Sequence, residues 1–517
     1  MSDAEFVSAP ALILRSLSRE PERTVLTTAD GVGITAGEYV AATHRLAHEL
    51  VARHVGGTTV SLLTGNTPEA LGARHAAGIA GARVVNLYDG MSVEVLAEIV
   101  RSVDTAVLLV DSERYADAAG LLALVDVPTV LTLGPAPGGL GADVIAASAG
   151  RPTSPPAVQV GPDDHLGIRH TGGTTGVPKG ILSLHGPYRR AFDVPFGPAG
   201  RRPRFLAATS LAHLAGVLSD LTLHHGGEVF LQRSFDAGAV LAAVERERIT
   251  DLWVLPPLLH RLLDHPAIAR TDLSSLHRVS YGGSVASPTR LREALGVFGP
   301  IMTSGYGMSE AMNIAVLEPH DHDRVGHDGR IAVGRPLPGV EVEVRAATGA
   351  VLPADQVGEI HVRSRGLMAG YWKRPDLTAE VLRDGWLKTG DIGYLDRDGY
   401  LYLADRSSDK IIVVGGHVHP SEVEDLLLTH PAVAQAAVLG IRDDQEVEHV
   451  HAVVVPAPGQ QPELDDLRTF VTTRKGRIYA PEALHLVAEI PLTPVGKPDK
   501  KHLRTLLVPD STTGTPA

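Results

Sequence analysis

The chain has no cysteine in its 517 residues, which excludes disulfides, thiolate metal sites and a cysteine nucleophile together. It also lacks any apolar run near the roughly 18 residues that a membrane span needs. The N-terminus, Met1-Ser2-Asp3-Ala4-Glu5, has no basic region of the kind that opens a secretory leader. Positive charge is in short supply, with 47 Lys and Arg against 60 Asp and Glu and a formal net charge of −13. Such a chain is repelled by nucleic acid and anionic membrane, so a polyanionic ligand has to be met by local groups. The expectation is a cytoplasmic protein with no nucleic-acid or membrane partner, and with its assembly open between monomer and homodimer. What is present is ordinary for a globular fold, 44% hydrophobic and 21% charged, in a length that suits about three domains.

In chain order, apolar runs at residues 60–63, 84–87 and 105–110 alternate with helical stretches at 69–80 and 93–100. This βαβαβ pattern predicts a mostly parallel, doubly wound sheet. Two Gly/Pro breaks, at 134–139 and 151–156, precede a strand at 165–169. That strand delivers the chain into a Gly/Thr-rich loop, and such strand ends are where open α/β sheets bind ligands. Alternation resumes over 206–305, with helices at 239–248 and 258–263 and a strand at 252–255, so a second wound sheet is expected. Between 339 and 405 the texture changes to period-two segments with Gly punctuation, which predict a small antiparallel sheet or barrel. A compact α+β unit then follows, with a strand at 410–414 and a helix at 421–428. Ser421-Glu422-Val423-Glu424 reads as a capping box, with Ser421 as N-cap and Glu424 at N3.

The densest chemical signal is Thr171-Gly172-Gly173-Thr174-Thr175-Gly176-Val177-Pro178-Lys179-Gly180. Its glycines permit positive φ, and its N–H groups and hydroxyls can surround an anion, so it reads as a phosphate loop. It is not a P-loop, because no Gly is followed five residues later by Gly-Lys-Ser/Thr. Gly305-Tyr306-Gly307-Met308-Ser309-Glu310 sets a ring between glycines, as an adenine slot requires, and offers Glu310 to Mg²⁺; a plain turn is the competing reading. In Trp386-Leu387-Lys388-Thr389-Gly390-Asp391 the aspartate can accept from both hydroxyls of a ribose, against an Asx turn. Lys497, in Pro491-Leu492-Thr493-Pro494-Val495-Gly496-Lys497, is a cation on a constrained loop, against an ordinary solubilising lysine. His320-Asp321-His322-Asp323 reads as a solvated polar loop, since adjacent loop positions seldom converge on one metal. His213, at the head of a helical run, reads as a capping or core histidine.

In order and spacing these motifs resemble the adenylate-forming superfamily of acyl-CoA synthetases, luciferase-like enzymes and peptide-synthetase adenylation domains. The Gly/Thr loop is similar to the family's Thr-Ser-Gly-Thr-Thr-Gly-x-Pro-Lys-Gly, Gly305 to Glu310 to its Tyr-Gly-x-Thr-Glu, and Gly390-Asp391 to its Thr-Gly-Asp. Asp405-Arg406 through Gly415 to Glu424 resembles its Gly-Arg-x-x-Asp-x-Ile…Gly…Pro-x-Glu-x-Glu signature, and Gly496-Lys497 its terminal Gly-Lys. Departures are Gly172 for Ser, Ser309 for Thr and Asp405 for Gly.

The resemblance implies an α/β fold. Residues 1–405 would form a large N-terminal adenylation domain of two doubly wound βαβ sheets with a small β-barrel-like subdomain. Residues 406–508 would form a small, mobile α+β C-terminal domain, and 509–517 a disordered tail. It implies that Thr171, Gly172, Gly173, Thr174, Thr175, Gly176 and Lys179 hold the ATP phosphates and that Glu310 ligates Mg²⁺. Adenine would lie between Tyr306 and Gly283-Ser284-Val285, beside Gly305, Gly307 and Ser309, with the ribose on Asp391 and Arg406. Lys497, with Thr174, Glu310 and His213, would serve attack of a carboxylate on the α-phosphorus, which gives an acyl-adenylate and pyrophosphate. The C-terminal domain would then turn about a hinge at Ser408, where the family usually has Asp or Lys, and admit a thiol past Gly415.

His213 falls where amino-acid-activating relatives carry an aspartate for the α-ammonium, so free amino acids are disfavoured. It would line the acid pocket with Tyr281, Gly282, Gly307, Met308 and Asn313. The leading expectation is an acyl- or aryl-CoA ligase acting on a small carboxylic acid with ATP, Mg²⁺ and coenzyme A. The alternatives are an adenylating ligase with a nitrogen acceptor, making an amide or activating a small oxyanion, and a non-catalytic nucleotide-binding relative. Retention of Lys497, Glu310 and Asp391 together argues against the last.

Overall fold

The computed structural model describes residues 6–88, 91–170, 179–193, 201–284, 286–327, 329–406, 411–413, 416–443, 447–493 and 496–507. The first βαβαβ run forms as expected, with strands Thr59–Leu63, Arg83–Asn86 and Thr105–Val110 around helices Pro68–Ile79 and Val93–Ser102. These strands pair in parallel inside an eight-stranded sheet. All five residues of Thr59–Leu63 are buried, which is why the strand is a continuous apolar run rather than an alternating one. Strand His165–His170 joins this sheet parallel to Arg83–Asn86 and turns back antiparallel onto Gly180–Leu184.

A second, nine-stranded sheet contains Arg204–Ala207, Glu228–Leu231, Asp251–Val254, Arg278–Gly282 and Met302–Met308, which pair with one another in parallel. It also recruits Thr24–Thr27, from near the start of the chain, beside Glu228–Leu231. One apolar cluster joins the two sheets, running from Ile13 and Leu17 through Val60 and Leu62 to Phe205, Leu252 and Tyr281. Each fully buried Leu or Ile there contributes about 1.5–3 kcal/mol.

The period-two segments form an antiparallel five-stranded sheet from Val340–Arg345, Gly358–Ser364, Leu382–Arg383, Trp386–Leu395 and Leu401–Arg406. From Ile411 onward a separate core forms, with Val423, Leu427, Val438, Val454, Leu467 and Val471 at its centre. Strands Val433–Arg442, Glu448–Pro456 and Ala483–Leu486 form a sheet of their own within this unit.

The capping box expected at Ser421 does not form. Pro420 occupies the first position of helix Pro420–Leu427, and His419 is the N-cap, with no side-chain cap. Proline is favoured at that first position because its missing N–H has no helical partner to lose. The Ser421 hydroxyl instead donates to the Ala404 carbonyl at 3.1 Å. Glu424 accepts from the Val438 N–H at 2.8 Å and pairs with Lys500 at 2.7 Å. A genuine capping box opens helix Ala36–Ala52, with Thr35 and Glu38 bonded reciprocally.

The histidine-aspartate loop is not simply solvated either. His322 is buried, its Nδ1 lies 3.2 Å from the Glu318 and Pro319 carbonyls, and Asp321 accepts from the Tyr400 hydroxyl at 2.7 Å.

Candidate active site

Strands Arg278–Gly282 and Met302–Met308 lie side by side in the nine-stranded sheet, and His165–His170 belongs to the eight-stranded one. Gly282 stands opposite Gly305 in register. A Cβ on Gly282 would come within 2.3 Å of the Gly305 carbonyl oxygen, so glycine is required for the strands to approach this closely. Gly283 (φ +84°) and Ser284 follow directly. Tyr306 is buried among Ile181, Ala315 and Met368, and its hydroxyl donates to Asp391 Oδ2 at 2.7 Å. The competing reading of Asp391 as part of an Asx turn fails, because it lies within the long strand Trp386–Leu395, opposite Arg406. The two residues expected to meet adenine and ribose are thus linked by one short hydrogen bond.

Glu310 lies in the turn between strands Met302–Met308 and Met312–Leu317 and is 7% exposed. Its Oε1 accepts from the Tyr371 hydroxyl at 3.0 Å. The Lys179 ammonium sits 5.4 Å from the centre of that tyrosine's ring. No cation is paired with Glu310 among the described residues, and a buried oxygen donor of this kind suits a hard divalent ion. The donor set therefore fits Mg²⁺.

Lys497 is presented by a tight turn in which the Thr493 N–H donates to the Lys497 carbonyl at 2.6 Å and the Lys497 N–H donates to Thr493 Oγ1 at 3.1 Å. Gly496, at φ +81°, packs so closely on the N-terminal unit that a Cβ there would lie 3.2 Å from Leu255. Among the described residues, polar contacts between the two units include the Ser421–Ala404 bond, Ser287 Oγ donating to Asp425 at 2.6 Å, Arg330 paired with Glu422 at 2.8 Å, and Arg261 with Glu489 at 3.5 Å.

His213 is the residue before helix Leu214–His224 and makes no side-chain cap. Its ring lies against Tyr88, 4.0 Å between centroids. Burial pushes the imidazole down to about 3, and the charges of Arg169 and Lys497 push the same way. At neutral pH His213 is therefore uncharged, with both cations close by.

Beneath it lies a cavity of about 100 Å³, lined by His213, Arg169, Arg74, Asp220, Val217 and Met368 among others. At its floor Asp220, 3% exposed, accepts from Arg74 at 2.5 Å, His75 Nε2 at 2.8 Å and Tyr188 at 2.7 Å. The Tyr39 hydroxyl completes the network at His75 Nδ1, 2.8 Å away. Burial opposes the Asp220 charge, but Arg74 and His75 outweigh it and hold the carboxyl below its usual range.

Of the residues expected to line the acid pocket, His213 borders this cavity. Tyr281, Gly282, Gly307, Met308 and Asn313 do not line this cavity. Tyr281 is buried against His322, with ring centroids 5.9 Å apart, and Asn313 is exposed on strand Met312–Leu317. Thr171, Gly172, Gly173, Thr174, Thr175, Gly176, Val285, Ser408 and Gly415 lie outside the described residues, as does the side chain of Arg406.

The reading of the sequence missed Arg169, Tyr371 and the Asp220 network. The available signals were a charged residue in a strand entering the phosphate loop and a lone acid in the otherwise apolar helix Leu214–His224.

A family model for AMP-binding enzymes matches residues 13–372, and one for the AMP-binding enzyme C-terminal domain matches 422–497. A medium/long-chain-fatty-acid–CoA ligase of Mycobacterium tuberculosis is 36% identical, over 95% of this chain and 89% of its own length. A feruloyl-CoA synthase of an Amycolatopsis species is 34% identical, over 92% and 94%. Among solved structures, an amide bond synthetase from Marinactinospora thermotolerans superposes with a TM-score of 0.86 at 38% identity, covering 97% of this chain and all of that one, 100%.

Proposed function

The chain belongs to the AMP-binding enzymes of the adenylate-forming superfamily, and on that premise we propose that it joins a small carboxylic acid to coenzyme A at the expense of ATP. A carboxylate oxygen attacks the α-phosphorus, and the bond to the bridging oxygen of pyrophosphate breaks, giving an acyl-adenylate. The coenzyme A thiolate then attacks the acyl carbon and AMP leaves. The observation that carries this reading is the seating of the Lys497 turn on Leu255, with the lysine's charge felt at His213 above the cavity. There a mobile cation meets charge developing between acid and α-phosphate, where positioning and charge stabilisation supply most of the rate.

Tyr306 and Asp391 hold the nucleoside, and Lys179 approaches the phosphate side. Glu310 is the residue for Mg²⁺, which when bound offsets phosphate charge. Domain rotation at Ser408 would withdraw Lys497 for the second step. Of the ion pairs it would break, Arg261–Glu489 is exposed and contributes only about 0–1 kcal/mol, whereas Arg330–Glu422 is largely buried and is the stronger restraint on the rotation. We place the reaction in the cytoplasm; no helix among the described residues is long and apolar enough to cross a membrane.

A nitrogen acceptor, giving an amide, is the second reading. The 38% identity to an amide bond synthetase across essentially the whole chain favours it. Incubation with ATP, Mg²⁺ and a panel of aliphatic and aromatic acids is expected to release pyrophosphate, and Lys497→Ala to lower that release on the order of 100-fold or more. Full release by the alanine variant would refute the role of the lysine. Mass analysis of products with coenzyme A against amines decides the acceptor: thioester supports the first reading, amide alone the second.

A further inference from the structure

The acid cavity carries an unbalanced charge. Of the formally charged side chains lining it, Arg74 and Asp220 cancel each other in a 2.5 Å ion pair, which leaves Arg169. Arg169 ends the run Leu166-Gly167-Ile168-Arg169 on strand His165–His170, two residues before the phosphate loop. It is half-buried, and among the described residues no carboxylate pairs with its guanidinium and no acceptor meets it. Its charge is felt at His213 and Tyr188, which also line the cavity, and at the neighbouring Tyr88. A cation in a partly enclosed, mainly apolar-walled space is most stable beside an anion or water, so this cavity favours an anion.

We infer that Arg169 is a specificity-determining residue that receives the carboxylate of the acid substrate, holding it at the mouth of the cavity for Lys497. This rests on the ligase reading above. Arg169 belongs to the sheet, so it keeps its place whatever the C-terminal unit does, and a guanidinium can grip both carboxylate oxygens at once. The rest of the acid then occupies the space beside Val217, Leu367 and Met368. At about 100 Å³ this is of the same order as the engineered cavity of about 150 Å³ that accepts benzene, and far below what a long chain fills. The class of acid is therefore short-chain or single-ring, not long-chain.

The test uses the full chain with benzoate, hexanoate and palmitate as probes, following pyrophosphate release. Arg169→Met is expected to raise KM for benzoate and hexanoate roughly 10- to 100-fold, as for loss of a charge-assisted hydrogen bond. KM for ATP should not move, and Arg169→Lys should recover part of the loss. Calorimetry should show the parent chain binding benzoate better than neutral benzamide, and Arg169→Met losing that preference. An unchanged acid KM, a rise confined to ATP, or a retained benzoate preference in the methionine variant would each overturn the assignment; palmitate turning over better than hexanoate would overturn the size class. Absence of pyrophosphate from every acid with the parent chain would defeat the ligase reading instead, and the benzoate–benzamide comparison would still decide the role of Arg169.

Discussion

Replacing Asp220 by asparagine tests whether the floor of the acid cavity also holds the fold together. The carboxylate joins three helices: Arg74 and His75 come from Pro68–Ile79, Tyr188 from His185–Arg190, and Asp220 itself from Leu214–His224. Asparagine keeps one acceptor oxygen but turns an NH₂ toward groups that are themselves donors, and it leaves the Arg74 guanidinium without its counter-charge. Breaking a buried pair from one side costs about 3–5 kcal/mol. That is a large part of the 5–15 kcal/mol or so by which folded proteins are stable. Tyr188→Phe removes a single hydrogen bond and should cost about 1–3 kcal/mol. Urea unfolding at pH 7, followed by fluorescence of the buried Trp253, is the assay, with KM for ATP as a control that should not move. The Asp220 carboxyl is held below its ordinary value in the fold. Its contribution is therefore present above the unfolded value near 3.8 and is lost as pH falls through the folded one. A variant within about 1 kcal/mol of the parent, or one no weaker than Tyr188→Phe, would refute the view of Asp220 as a charge-bearing hub.

Two further outcomes follow from buried groups. His170 and His185 are both driven down to about 4 by burial, and among the described residues neither nitrogen of His185, nor Nδ1 of His170, has a hydrogen-bond partner. Below about pH 6.5 the unfolded chain binds protons at these rings and the native chain does not, so each ring lowers stability by about 1.4 kcal/mol per pH unit down to pH 4. Urea midpoints should fall from pH 7 to pH 5, His185→Leu should remove part of that slope, and identical slopes in variant and parent would refute the assignment. Tyr306→Phe deletes the 2.7 Å bond to Asp391 and should raise KM for ATP roughly 10- to 100-fold while leaving the acid KM in place; an unmoved ATP KM in steady-state pyrophosphate assays would detach the pair from nucleotide binding.

The parts of the fold that were legible in sequence are those whose physics is local. Strand Thr59–Leu63 and helix Pro68–Ile79 were expected within a few residues because an apolar run followed by helical periodicity specifies a βα unit with no help from elsewhere in the chain. Local pattern misled at Ser421, where the Ser-x-x-Glu spacing was right but Pro420 had already set the helix start and Glu424 was taken by Val438 and Lys500. A capping box needs its glutamate free, and sequence spacing cannot show that a strand some fourteen residues on will use it. The recruitment of Thr24–Thr27 into the second sheet was invisible for the same reason, since its partner Glu228–Leu231 lies about two hundred residues away.

The candidate site divides along the same line. Glycine-rich and aromatic motifs point to a nucleotide because backbone approach and stacking depend on residue type at fixed short spacing, so Tyr306, Glu310 and Asp391 could be singled out as candidates from the sequence. Of the four polar groups Arg74, Arg169, His213 and Asp220 at the cavity, only His213 could be singled out that way. The other three come from the sides of helices and strands far apart in sequence and meet only when the fold brings them to one cavity. Counting charges shows why this matters. In sequence, Arg74, Arg169 and Asp220 are three unremarkable ionisable residues; in the fold, two neutralise each other and the third does not. On the proposal that this remainder receives the acid, specificity is a property of the assembled cavity rather than of any motif, and a relative that keeps every nucleotide motif but moves one of these three charges should select a different acid.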